Sequence, residues 1–494
     1  MKLGIDFGTS FSLPATSYLG QNVVLLPGGR YGIPSVFYYS EWDGVLIGEE
    51  AEEAGQGSDA KNLKREIKLE LNSTFTADGK TFTAKQIVGH ILNSVKQNAI
   101  ETAKTKLIDD HLDGVVISVP AAFEHNEKAF IREAAEIPIA QGGPQLKVLG
   151  FIKEPVAAAL AYFNTSLADK TRILVYDLGG GTCDIAIVEA NSASKEKYTV
   201  VDSDMLRIGG KNWDAKLETY IIHELEKQTG LSISGNPGYK EKIKRAAISA
   251  KHSFSEKVGN NYRDRVRARV EVNGRTYQIP LTKAIFDELT LDLLNKTIDV
   301  TKKVLERNNA NGIDRIICVG GSSNMPQVQE GLKRAFPGKS IQVFEPEKAI
   351  AVGAAIYAQF CDGKDTFLSD IAAFSYGTDC CRDYDKDPDD MIVVNLIKRG
   401  DRLPITQDQG FSTTRDGQTK MYFDIIENSN AVSEYDYERG SVSPIMRVVL
   451  EFPKPMPKGT SARLHMTLTT DGIIEVTADD KNGHTITAKK QLNF

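Results

Sequence analysis

The sequence predicts an α/β unit assembled from two similar halves, followed by a smaller all-β unit, and three observations carry that reading. One unusual order of residue types occurs twice, as Gly4-Ile5-Asp6-Phe7-Gly8-Thr9-Ser10 and as Val175-Tyr176-Asp177-Leu178-Gly179-Gly180-Gly181-Thr182. Each copy reads as an apolar strand, a carboxylate, a glycine turn and a hydroxyl. From Met1 to about Cys361, strand-like and helix-like segments alternate, the signature of α/β layering. Beyond Asp362-Gly363-Lys364, apolar residues recur at every second position with no long helical pattern. At 494 residues the chain exceeds one ordinary core. The boundaries follow: an α/β unit over 1–364, a linker over 365–371 and a β-sandwich over 372–494.

Taken in order, Val115 to Val119 is a buried strand stopped by Pro120, and a helix follows from Glu127 to Glu136. Arg172 to Tyr176 and Asp184 to Val188 flank the second glycine loop and read as a hairpin across it. Ile316 to Val319 is another buried strand, ending in Gly320-Gly321-Ser322-Ser323. Pro346 suits the first turn of a helix, where its missing N–H costs nothing. That helix continues through Ala349, Ala351, Gly353, Ala354 and Ala355, small enough for close packing. In the β unit, Met391 to Lys398 and Lys420 to Ile426 read as strands. Leu464, Met466 and Leu468 alternate toward an Asp471-Gly472 hairpin turn, and Ile474, Val476 and Ala478 alternate on the return.

The bulk numbers exclude several classes. A formal net charge of −6 argues against broad electrostatic binding to nucleic acid or anionic membrane. No apolar run is long enough to span a bilayer, and Asp6 with its glycines interrupts any signal-peptide pattern. Five cysteines with no C-x-x-C fit a reducing, cytoplasmic setting. The vicinal Cys380-Cys381 reads as two reduced thiols near a strand.

The duplicated motif points to a phosphorylated ligand. Glycines let backbone N–H groups close around phosphate oxygens, and a leading carboxylate can hold a magnesium ion through its water shell. Two facing loops would clamp a nucleoside triphosphate, with Asp6 and Asp177 toward magnesium and Gly8, Thr9, Ser10, Gly179, Gly180, Gly181 and Thr182 around the phosphates. Hydrolysis then needs charge neutralisation and a positioned water. Glu154, entering a helix in Lys153-Glu154-Pro155, is the candidate to polarise water, and Lys64 the candidate positive charge. No G-x-x-x-x-G-K-[ST] occurs, since Lys333 stands where Gly338-Lys339-Ser340 would need its first glycine. The acidic run Asp383 to Asp390 resembles a calcium loop, but Pro388 and Val394 replace its glycine and glutamate, and a solvated loop is expected.

These motifs, in this order, resemble one family. The first loop, Ile152-Lys153-Glu154-Pro155-Val156-Ala157, Asp177 to Asp184, Gly209-Gly210, Val319 to Pro326 and Ala351 to Ala355 are similar to the ATPase domain of the heat-shock protein 70 chaperones, an actin-like, ribonuclease H-like duplicated fold. Asn395 to Arg399, Phe411-Ser412-Thr413-Thr414 and Asp471 to Ala478 resemble that family's peptide-binding β-sandwich. The resemblance implies an ATP-dependent chaperone using ATP/ADP and Mg2+, with an unfolded or extended polypeptide as client and a J-domain co-chaperone and a nucleotide-exchange factor as partners. It implies Lys64 as catalytic lysine, Glu154 near the attacking water, Asp177 near magnesium, Thr182 beside the terminal phosphate and Asp184 as a second carboxylate. It places Gly209, Gly210, Lys251, His252, Ser255, Gly320, Gly321, Ser322, Asn324 and Glu347 around the nucleotide. Phe411, Met421 and Phe423 fall near the peptide groove, with at least two of them expected to be core, and Pro120, Lys128 and Asp370 fall on the route between domains.

The departures carry expectations too. Where the family sandwiches adenine between two arginines, this sequence has His252 and Asn324, and Ile248 replaces a glutamate near the base or ribose. Loss of guanidinium stacking predicts weaker nucleotide binding, about tenfold if stacking is worth about 1–2 kcal/mol. Lys128 stands where an arginine pairs with Pro120, and the linker reads Thr366-Phe367-Leu368-Ser369-Asp370 in place of a leucine run. The sequence stops where the family's helical lid would begin, so a lidless β-sandwich is expected. The alternatives are a nucleotide-gated binding module with little ATPase activity and one dedicated partner, a sugar or acetate kinase, and an actin-like filament protein.

Overall fold

The computed structural model describes the chain except residues 29–30, 122, 124, 138–145, 166–170, 192–196, 259–260, 309–311, 362–367, 370, 373, 439, 470–472, 481–484 and 492–494. Asp370 and the Asp471-Gly472 turn therefore lie outside the described residues. The chain divides into two compact units. One comprises Met1–Ala121, Phe130–Lys195 and Ser203–Asp365; the other comprises Ala122–Ala129, Glu196–Asp202 and Thr366–Phe494.

The larger unit holds two sheets of the same design. In the first, the antiparallel pair Lys2–Phe7 and Phe11–Tyr18 is extended by Gly114–Val119 and then Val148–Lys153, both parallel. In the second, the antiparallel pair Thr171–Leu178 and Cys183–Ala190 is extended by Ile313–Val319 and then Ser340–Val343, again both parallel. The glycine loops are the turns of the two antiparallel pairs, which explains why one residue order appears twice: each half must reverse direction with its carboxylate on the last strand residues. The central strands are apolar on both faces, as parallel strands under helices must be. Ile5, Val116, Leu174, Ile187 and Ile317 are fully buried.

Small residues let the layers meet. Helix Glu154–Thr165 packs on helix Ala349–Ala358. A Cβ added to Gly353 would lie 1.7 Å from the Ala157 carbonyl oxygen, and one added to Gly4 would lie 2.0 Å from the Ala355 nitrogen. The second helix begins at Ala349, three residues later than the sequence suggests. Pro346 sits in the preceding turn, and Lys348 is the cap residue.

The smaller unit is a β-sandwich. One sheet orders Glu434–Asp436, Asp387–Ile397, Ser375–Asp383, Gln418–Asn428 and Ser443–Met456; the other orders Ile405–Ser412, Ser461–Leu468, Ile473–Asp480 and Thr485–Gln491. The inward positions alternate as pleating requires. Leu464, Met466, Ile474, Val476 and Ala478 are fully buried. Met421 and Phe423, expected at a peptide groove, are part of this core at 7 % and 2 % exposure. Their strand turns these alternate residues inward and leaves Tyr422 between them at 59 % exposure. Phe411 is partly buried and packs edge-on against the Phe423 ring at 5.4 Å. The acidic run ties itself to cations: Lys386 to Asp383 at 2.8 Å, Arg382 to Asp390 at 3.1 Å, and Lys458 to Asp385.

Candidate active site

The two glycine loops open onto one cavity of about 540 Å³. Its phosphate-like end is lined by Asp6, Gly8, Thr9, Ser10, Lys68, Glu154, Asp177, Gly179, Gly180 and Thr182. Its other end is lined by Lys251, His252, Ser255 and Glu256, by Gly320, Gly321, Ser322, Asn324 and Met325, and by Pro346, Glu347 and Ile350. Gly181, Gly209 and Gly210 stand just behind the wall. A Cβ on Gly209 would come within 2.5–2.6 Å of the backbone of Gly180 and Gly181, and one on Gly210 within 2.4 Å of the Ser322 hydroxyl. Glycine is needed there because two loops touch backbone to backbone.

Both loops are fixed from outside. Ser35 donates to the Gly8 carbonyl at 2.8 Å, and its N–H donates to the Ser10 carbonyl at 2.9 Å. The Ser322 hydroxyl and the Gly210 N–H each donate to the Gly179 carbonyl at 2.9 Å, while the Lys211 N–H donates to the Gly180 carbonyl at 2.9 Å. With carbonyls engaged behind the turns, the loops are held without using the groups that face the cavity. Gly320 takes a left-handed φ of 78°, a conformation glycine adopts without steric cost.

The charge pattern is the most telling feature. Glu154, Asp177 and Asp184 are buried, Asp6 is half-buried, and the buried ammonium of Lys68 stands among them. Lys68 donates to Glu154 at 2.6 Å and to the Phe7 carbonyl. Burial pushes the Asp6 carboxyl up to about 7, with Glu154 adding to the rise and Lys68 and the Ser118 hydroxyl opposing it. Burial, then Glu154, likewise raises Asp184 to about 7, against the Ala121 N–H that donates to it at 2.7 Å. Asp177 is also raised well above the usual carboxylate range, by burial first and then by Glu154, Asp184 and Asp6. Asp177 Oδ2 and Asp184 Oδ2 have no hydrogen-bond partner among the described residues. Excess buried carboxylate with bare oxygens fits a divalent cation. No three ligating side chains converge as a direct metal site among the described residues, so the donor set fits a cation that keeps its water shell.

The lysine of this site is Lys68, not Lys64. Lys64 lies on the strand Leu63–Lys64, pairs with Glu70 at 2.5 Å and is absent from the cavity wall. The two differ by four residues, and the chain turns between them through Glu66 at φ 61° into the short helix Ile67–Leu69. No local cue separates them, since buried Leu63 precedes one lysine as buried Ile67 precedes the other. Phe11, Leu13, Tyr31, Glu256 and Ile350 also line the cavity and carry no motif.

At the far end, Lys251 is buried and donates to Asp214 at 2.7 Å and to the Gly210 carbonyl at 3.1 Å. Helix Pro237–Ser255, capped by Asn236, presents Lys251, His252 and Ser255 to the cavity. His252 is exposed on the cavity rim, where partial desolvation and then the Lys251 ammonium hold its ring below the usual histidine value. Asn324 ends the short helix Gly321–Asn324. Glu347 is exposed on the rim. Pro120 is buried directly after the strand Gly114–Val119, and Lys128 is half-buried within the helix His125–Glu136.

Set against known families, the chain matches the model of the Hsp70 protein family over residues 45–493. The match begins after the first glycine loop and runs through both units.

Proposed function

The chain belongs to the Hsp70 family, whose members are ATPases of chaperone type with an actin-like ATPase domain followed by a β-sandwich, and from that premise we propose that it hydrolyses ATP slowly and uses the nucleotide state to control how the β-sandwich holds an extended polypeptide segment. The observation that carries this reading is the buried Lys68 ammonium set among four carboxylates between two glycine loops. In this reading Lys68 neutralises charge on the terminal phosphate, and Glu154 orients the attacking water. Thr9, Ser10 and Thr182 offer hydroxyls to phosphate oxygens, and loop N–H groups cradle the rest. Asp6 and Asp177 hold magnesium through its water shell, Asp184 backing them. When bound, the ion supplies charge stabilisation and orientation of the phosphate oxygens. Lys251 and Ser255 receive the ribose side, and His252 and Asn324 the base.

The client side is less specified. Of the three aromatic and methionine side chains expected at a groove, Phe411 alone keeps exposed surface. An extended client would then depend on backbone pairing more than on deep apolar pockets. That observation also favours a second reading, a nucleotide-gated module that binds one dedicated partner and hydrolyses ATP barely. A J-domain co-chaperone and an exchange factor belong to the first reading. No helix among the described residues is long and apolar enough to cross a membrane. Single-turnover ATP hydrolysis with and without an unfolded model polypeptide separates the two readings. Acceleration by the polypeptide supports the coupled chaperone, and ATP binding with hydrolysis indifferent to polypeptide supports the gated module.

A further inference from the structure

The hairpin of Arg265–Val272 and Arg275–Thr282 carries a charge pattern that the nucleotide chemistry does not use. Asn273 and Gly274, at φ 50° and 74°, close it as a two-residue turn. One face is core: Ala268, Val270, Val272, Ile279 and Leu281 are 0–2 % exposed. The opposite face presents Arg265, Arg267 and Arg269, all exposed, on successive outward positions of one strand. Directly across from them stand Thr282, Pro280 and Gln278, none of them acidic.

Ion pairing is what sets these arginines apart. Adjacent cations have partners: Arg263 meets Glu256 at 3.5 Å, and Lys242 meets Glu271 at 3.5 Å. Among the described residues, no carboxylate pairs with Arg265, Arg267 or Arg269; the one side-chain contact is Arg267 to the Gln278 amide oxygen at 3.4 Å. Three guanidinium groups thus repeat at about 6.6–6.8 Å along a strand whose inner face is locked into the core. An extended polypeptide with carboxylates at alternate positions has the same repeat, and each guanidinium can engage a carboxylate in a two-pronged hydrogen bond.

We propose that this arginine ribbon is a docking surface for an extended acidic segment of a partner protein, with acidic side chains at every second position. The recognition is separate from the cavity and from the β-sandwich.

Fluorescence anisotropy of the full chain tests it with three probes: a labelled peptide of alternating threonine and glutamate, the same peptide with lysine for glutamate, and single-stranded oligothymidylate of equal length. The acidic peptide binds the wild-type chain at low salt, and binding weakens as salt is raised toward physiological strength. The combined variant Arg265→Ser, Arg267→Ser, Arg269→Ser binds it about tenfold more weakly, as the loss of three exposed charge pairs predicts. Its unchanged ATP affinity shows that the fold is intact. Equal binding by wild type and variant, or no binding of the acidic peptide, overturns the proposal. So does oligothymidylate binding as tightly as the peptide. Sedimentation that shows the wild type self-associating through these arginines assigns the face to a second copy and likewise overturns it.

Discussion

The two ends of the cavity are built on opposite principles. At the phosphate end, backbone N–H groups, buried carboxylates and one buried lysine are fixed by loop-to-loop contact, and almost nothing can change without moving a strand. At the base end, His252, Glu256 and Glu347 are exposed side chains on a rim, replaceable without disturbing the fold. In the proposed reading, reaction chemistry is thus tied to the architecture, while ligand affinity rests on side chains that can vary. The departures seen in the sequence, His252 and Asn324, fall at the adjustable end.

The largest effect that would sharpen this contrast is at Gly320. A Cβ there would approach Asp177 Oδ1 and the Leu178 carbonyl at 2.4 Å, at a positive φ. Gly320→Ala is expected to cost about 1–3 kcal/mol in urea unfolding. Gly321→Ala, next in sequence with nothing within 4 Å of the added atom, should stay within about 0.5 kcal/mol. Equal costs would break the claim that close backbone contact fixes the turn behind Asp177 and Leu178.

Next in size is the base end. His252→Arg together with Asn324→Arg restores two guanidinium faces, and calorimetry should show ADP binding about tenfold tighter, about 1.4 kcal/mol. Unchanged affinity would mean that the base is held by contacts other than stacking.

A third contrast is pH linkage. Asp6 and Asp184 titrate near 7 in the folded protein and near 4 when unfolded. Their protonated forms favour the fold, so this contribution is fully present below about pH 4, declines as pH rises and is lost above about 7. Magnesium binding favours the ionised forms, so its stabilisation grows across the same window. The magnesium-induced rise in Tm should be larger at pH 8 than at pH 5.5, and a rise independent of pH would show that these carboxyls do not meet the ion.

Much of this was legible in the sequence because glycine, proline and strand periodicity report backbone geometry directly. The paired loops, the hairpin across Gly179–Thr182 and the alternating strands of the β-sandwich rest on such signals. Lys64 and Lys68 show where the legibility ends. Which of two lysines four residues apart enters a cavity depends on one left-handed residue, Glu66, and on the burial of Ile67, and neither has a local sequence signature. Met421 and Phe423 show the same limit. Alternation identifies one face of a strand, but whether that face meets the opposing sheet or a ligand is decided by tertiary packing.

The most direct test of the central claim is single-turnover ATP hydrolysis by wild type, Lys68→Ala and Lys64→Ala. Removing the buried ammonium should slow hydrolysis by about 10²–10³-fold, the usual cost of losing one charge-stabilising group. Removing Lys64, which pairs with Glu70 away from the cavity wall, should change it less than about threefold. Loss of hydrolysis in Lys64→Ala with Lys68→Ala unaffected would contradict the account.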